Sequence, residues 1–124
     1  MTFDGVSVGD SFGQIETEKY TVKSNVPSQY TYNYEEWRLS VEDSTITAIM
    51  ASFGQVSISI NGNEDCSSVD NVINVLGDNF SSTWYDKEQG LMQLQYLDQE
   101  NGIQCAFVYN KYSNDLVWGI VKIA

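Results

Sequence analysis

SSVDNVINVLG, Ser67 to Gly77, is the stretch that decides how the rest of this chain is read. Val69, Val72, Ile73 and Leu76 fall at i, i+3, i+4 and i+7, the spacing that places four apolar side chains on one face of a helix. Ser67 with Asp70 three places on gives an N-cap signature, and Gly77 stands where a helix ends in a left-handed residue. The spacing therefore predicts a helix of about ten residues, too short to hold itself in water. Burying its four apolar side chains would contribute about 6 to 12 kcal/mol at most, counting each as a full burial. A flat apolar surface must lie beneath it.

The flanking sequence has the period of a sheet. Tyr30, Tyr32 and Tyr34 alternate with Thr31 and Asn33; Trp37, Leu39 and Val41 alternate with Arg38 and Ser40; Ile46 to Ser52 follows, then Val56, Ile58 and Ile60 alternating with serines. After the helix come Thr83 to Tyr85, Leu91 to Leu97, Ile103 to Asn110 and Leu116 to Ile123, separated by DKEQG, DQENG and KYSND. Turn residues at this spacing predict an antiparallel meander. Upstream, Thr2 to Phe12 reads as a turn-rich entry, Ser11 to Ile15 as a short helical turn, Tyr20 to Lys23 as a brief strand, and 24–28 as a loop around the only proline, Pro27. The predicted class is α+β: an antiparallel sheet with one main helix packed on one face.

The two halves can be laid on one another. Ser11 to Ile15 matches the start of the main helix, Tyr30 to Tyr34 matches Leu91 to Leu97, Trp37 to Val41 matches Ile103 to Phe107, and Ile46, Ala48 and Ile49 match Val117, Gly119 and Ile120. This reads as one domain over 1–124 made of two degenerate meander repeats, about 1–55 and 56–124.

Composition narrows the function classes. Six Lys and Arg stand against 17 Asp and Glu, a formal charge of −11, which opposes binding to nucleic acid phosphates or anionic lipid. No run of about 18 apolar residues is present, so no membrane insertion is expected within this chain. MTFDGVSVGD lacks the basic and apolar regions of a signal peptide. Two localisations follow: cytoplasmic, or extracellular and cell-surface with a leader already removed.

The order helix, loop, meander, given twice in a small acidic chain, resembles the β-lactamase inhibitory protein type of fold, with the small outer membrane assembly lipoproteins as a related single module. The resemblance rests on GVSVGDSFGQI, on SSVDNVINVLG followed by WY, and on the strand endings ITAI and VWGI. It implies an exported bacterial protein that binds another protein on the open face of a curved sheet. The first helix is much reduced here, and no residue of that inhibitor's contact set can be matched.

Catalytic constellations are scarce. Without histidine, Ser-His and Cys-His arrangements and the commonest zinc sites are excluded, and no phosphate-cradling glycine pattern occurs. NGNED, Asn61 to Asp65, lacks EF-hand spacing and reads as a turn, so no cofactor or metal is expected. Cys66 and Cys105 would be bridged if the helix start packs over the later strand; the alternative is two buried free thiols.

With the helix covering the face that carries Ile103, Cys105, Phe107, Trp37, Leu39 and Val41, the opposite face shows Asn33, Arg38, Gln93, Gln95, Gln104 and, register permitting, Trp118. An amide-rich surface with an exposed Trp suits contact with a protein or a carbohydrate. The expected function is a non-enzymatic protein-binding module. Two rivals stand beside it: an acidic mimic of DNA that blocks a basic protein, and a carboxylate-dependent hydrolase.

Overall fold

The computed structural model describes residues 1–24 and 28–124, so most of the predicted Pro27 loop lies outside the described residues. The strands are β1 (Thr2–Phe3), β2 (Tyr32–Asn33), β3 (Trp37–Glu42), β4 (Thr45–Ser52), β5 (Ile58–Ser59), β6 (Ser81–Asp86), β7 (Leu91–Asp98), β8 (Ile103–Asn110) and β9 (Leu116–Ile123). Among the described residues one α-helix, α1 (Val69–Leu76), lies between β5 and β6, and two 3₁₀ turns occupy Phe12–Gln14 and Thr17–Lys19. The fold is α+β and mostly antiparallel sheet, as the sequence periods predict.

Seven strands form one sheet in the order β2-β3-β4-β9-β8-β7-β6, every neighbouring pair antiparallel, and β1 pairs with β5 in a separate two-stranded sheet. Strands β2 to β4 and β6 to β9 each run as a meander, and the two runs meet where Ile49 pairs with Val121 and Ala51 with Gly119. Register places Leu39, Ile49, Val121 and Cys105 in line on one face, and Trp37, Ala51, Gly119 and Phe107 in the adjacent line. These side chains form the core together with Val72 from α1 and with Phe3, Val6, Ile15, Ile58 and Ile60 from the N-terminal half. The helix thus covers only part of the face; β1, β5 and the turns around them cover the remainder. At Gly119 this cover comes so close that a Cβ would lie 3.1 Å from Met1 Cε and 3.3 Å from a Phe53 ring carbon.

Several expectations are corrected by tertiary pairing. The helix starts one residue later than the Ser67 signature implies, because the Ser67 carbonyl accepts from the Leu116 N–H (3.0 Å) and the Val69 N–H donates to the Asn114 carbonyl (2.9 Å), which holds the approach extended. Ser68 is the N-cap: its Oγ accepts from the Asn71 N–H at 3.4 Å, while Asn71 Oδ1 accepts from the Ser68 N–H at 3.2 Å. The capping box is therefore Ser68 with Asn71, not Ser67 with Asp70. The predicted strand at Tyr20 to Lys23 contracts to a single bridge, Val22 to Tyr34, and that at Val56 to Ile60 contracts to Ile58–Ser59. Asn61 and Gly62, both at positive φ (49° and 84°), form a tight turn closed by reciprocal 2.9 Å bonds between Ile60 and Asn63, so NGNED opens as a hairpin-type turn.

The matching of Ile49 with Ile120 is out of phase. Ile49 faces the core opposite Val121, whereas Ile120 lies on the other face opposite Met50. A one-residue slip in a strand exchanges its faces, so that equivalence does not hold residue by residue.

Cys66 and Cys105 are free thiols. Cys66 adjoins Ser67, which bonds to Leu116 at the start of β9, while Cys105 lies opposite Val121, five residues farther along that strand. At ~3.3 Å per residue the separation is roughly 16 Å, beyond the ~7 Å that a disulfide tolerates between Cα atoms. Burial pushes both thiols up from their ordinary value, which makes them poor nucleophiles.

The tyrosines around the core are held neutral. Tyr20 packs on Trp37 (4.6 Å between ring centroids) and donates to Asp4 Oδ2 at 2.7 Å, and the other Asp4 oxygen accepts from the Ser57 N–H at 2.7 Å. Burial first, then this bond, raises the Tyr20 phenol far above its ordinary range; burial also raises Tyr34 and Tyr96.

Two outcomes follow. Ser68→Ala should lower unfolding free energy by about 1 kcal/mol in urea titrations, while Ser67→Ala changes it by less than about 0.5 kcal/mol. The raised tyrosines bind their protons more tightly when folded, so their contribution is intact below the unfolded value of about 10 and lost as pH rises above it. Thermal midpoints should fall above pH ~10, and Tyr20→Phe, which has nothing to ionise at that position, should flatten that decline.

Candidate functional site

The face away from the core is read directly from the register. Asn33, Arg38, Met50, Ile120, Ala106, Gln95 and Ser81 stand opposite one another in a row that crosses all seven strands. On one side of that row lie Lys122 and Gln104, paired with each other; on the other side lie Trp118, Val108 and Gln93, paired in sequence. Trp118 is therefore on this face, half-buried, and does not point into the main core.

This face is not flat. In a flat sheet the two edge strands would stand roughly 29 Å apart, six spacings of ~4.8 Å. Yet Ser28, Gln29 and Tyr30 from the β2 edge line the same cleft as Tyr85 from β6 at the far edge. The sheet must coil so that its edges approach over the middle strands. Its three register shifts, at Ser40/Val41, Trp84/Asp86 and Val108/Tyr109, are irregularities that increase local twist. Coiling also explains why Ala106 and Val108 are buried although they face away from the core.

The cleft measures about 410 Å³ and brings together Arg38, Gln93, Gln95 and Gln104, four of the residues predicted for this face. Trp118 lies in an adjoining cleft of about 270 Å³ that shares Arg38, Met50 and Tyr85 with the first. Asn33 is set back from both. Its Nδ2 donates to the Tyr30 carbonyl at 3.2 Å, and its Oδ1 is buried with no protein partner, so it supports the rim and is not itself a lining group. Residues the sequence reading missed are Tyr30, Tyr85, Met50 and Lys122. The alternation Trp118, Ile120, Lys122 carried the signal for Lys122; nothing local signalled that the two tyrosines would face a common cleft.

The electrostatics of the cleft run against those of the chain. Arg38 and Lys122 line it and no carboxylate does, in a protein of formal charge −11. Among the described residues the ion pair present is Lys19 with Glu16 at 3.0 Å, so neither Arg38 nor Lys122 makes a salt bridge. The adjoining cleft does contain Glu35, Glu36 and Asp86, but two of these already accept backbone donors: Glu36 from the Thr21 N–H at 2.7 Å, Asp86 from the Gln89 N–H at 3.2 Å. Tyr30 is raised from its ordinary value by burial first and by Tyr85 second, with Arg38 acting in the opposite sense.

Comparison of the chain with models of known families, with curated proteins and with solved structures finds no match. Among the described residues no helix is long and apolar enough to cross a membrane.

Asn33→Ala should release the Tyr30 rim. Urea unfolding is expected to show a loss of about 1 kcal/mol, and a titration followed by NMR should show the Tyr30 phenol moving back down toward its ordinary value.

Proposed function

We propose that this chain is a non-enzymatic binding module that engages a protein partner through the concave face of its sheet, at a bacterial cell surface or as the folded part of a lipoprotein. The observation that carries the reading is the convergence of Arg38, Gln93, Gln95 and Gln104 in one cleft with Trp118 beside it. Arginine and aromatic side chains are the groups that most often dominate binding energy, and the half-buried glutamines offer both donors and acceptors to a partner's backbone. The two meanders, β2 to β4 and β6 to β9, are read as degenerate halves of an inhibitor-like fold, the first having lost its helix to the 3₁₀ turn at Phe12–Gln14. That reading accounts for a curved sheet with one covered and one available face.

The rivals fit the cleft less well. A DNA mimic presents files of acids at phosphate spacing, whereas the concave face carries Arg38 and Lys122. A glycoside hydrolase flanks its substrate with two carboxylates; none lines the cleft that holds Arg38 and the glutamines, and of the three in the adjoining cleft Glu36 and Asp86 are engaged by backbone N–H groups.

The test is affinity capture from envelope and cytosolic extracts of the source organism, with the wild-type chain and with Gln93, Gln95 and Gln104 all changed to Lys. Asp70→Lys with Asn74→Lys, both on the exposed side of α1, controls for added charge. Capture of one partner, reduced about tenfold or more by the cleft changes and unaffected by the helix changes, is expected. Equal capture by all three proteins would overturn the assignment of the face.

A further inference from the structure

The cleft contains more binding chemistry than a flat protein contact requires. Arg38 and Lys122 lie within it without a carboxylate neighbour in the lining. Counting two strand spacings across and two residues along, their Cα atoms are roughly 12 Å apart, near enough for both long side chains to reach one anionic group between them. Gln93, Gln95 and Gln104 border the same space, and among the described residues their side-chain amides make no hydrogen bond. Three half-buried amides thus keep donors and acceptors available on one side of a cation pair. Ala106, Ile120 and Met50 supply apolar lining, and Tyr30 and Tyr85, from opposite edges of the sheet, line the same space.

From this arrangement we infer that the cleft binds an acidic sugar, a pyranose ring that carries a carboxylate. Each part of the site answers a part of that ligand. The Arg38 guanidinium offers a planar fork to the carboxylate, with Lys122 adding a second positive charge. Hydroxyl groups both donate and accept, as the glutamine amides do. The C–H face of the ring suits the apolar lining and the two tyrosines, since aromatic rings combine an apolar body with a polar tip. A volume of about 410 Å³ is within the range of small-molecule sites. An extended acidic peptide would run on into the adjoining cleft, where Glu35, Glu36 and Asp86 oppose its remaining charges, on a chain of net −11. A single carboxylate placed between Arg38 and Lys122 meets both cations within the ~8 Å over which charges act at physiological salt, while Glu35, Glu36 and Asp86 line only the adjoining cleft. The inference stands on the cleft lining and does not depend on the existence of a protein partner.

The experiment uses the full chain labelled with ¹⁵N and titrated with galacturonate, with galactose, glutarate and sulfate as separate arms. Galacturonate is expected to shift the side-chain amide signals of Gln93, Gln95 and Gln104 and to bind at least about tenfold more tightly than any of the other three. Arg38→Gln should weaken galacturonate about tenfold or more. Lys122→Gln, at an exposed position where folding is not at risk, should weaken it in the same direction. Four results would overturn the inference: no shift with galacturonate, equal binding of galactose, equal binding of glutarate or sulfate, or unchanged galacturonate affinity in the Lys122→Gln protein. Because partner capture is not measured here, a negative result leaves the protein-binding reading to its own test.

Discussion

The antiparallel pairing of β4 with β9 is the constraint on which the rest of this structure depends. It joins residues far apart in the chain, Ser52 with Trp118 and Ala48 with Lys122, and turns two small meanders into one sheet of seven strands. Trp37 from one meander and Phe107 from the other lie in adjoining positions of the joined face, both essentially inaccessible. Joined, the meanders give the N-terminal segment and α1 a common surface to cover. Closing so long a loop costs little more than closing a shorter one, because the entropy grows only with the logarithm of length. The same pairing is non-local, so it is a slow element to assemble.

Both faces of the sheet are consequences of that join. The covered face is apolar along the lines through Ile49 and Val121 and through Ala51 and Gly119, and the layer above it is built from turns, a two-stranded sheet and one short helix. Asp4 fastens this layer by accepting from both Tyr20 and Ser57. The other face is shaped by coiling. With the core cover on one side and bulges in three strands, the sheet bends until Tyr30 and Tyr85, from opposite edges, border a single cleft. A cation that would be an ordinary solvated group on a flat sheet, Arg38, becomes half-buried beside amides and tyrosine rings. Curvature thus converts a polar surface into a concave site.

Charge distribution gives that site its character. The chain carries nearly three acids for every base, yet two of its six cations line the concave cleft and no acid does. Acids elsewhere are occupied in local backbone work: Asp10 accepts from the Ser7 N–H, Asp98 from the Asn101 N–H and side chain, and Asp86 from the Gln89 N–H. Such turns use short carboxylates because these can cap nearby N–H groups. The acidic surface therefore follows in part from turn chemistry, and the cationic cleft is the feature that departs from it.

What the sequence determined by itself is the local periodicity. Alternation in Trp37 to Val41 and Ile103 to Phe107 sorted side chains to two faces because a strand has a strict period of two, and the stripe Val69, Val72, Ile73, Leu76 marked α1 because a helix has a period of 3.6. Those periods placed Arg38, Gln93, Gln95 and Gln104 on a common face before any pairing was known. Tertiary structure decided everything that depends on partners distant in sequence. Contacts of Ser67 and Val69 with the β8–β9 turn moved the helix cap to Ser68, the path of β9 kept Cys66 and Cys105 apart, and the β4–β9 register put Ile49 and Ile120 on opposite faces. Coiling of the sheet drew Tyr30 and Tyr85 to one cleft and left Asn33 behind its rim. Periodicity is a property of neighbours along the chain and can be read there; register, curvature and the approach of two edges arise only when the whole sheet has closed on its core.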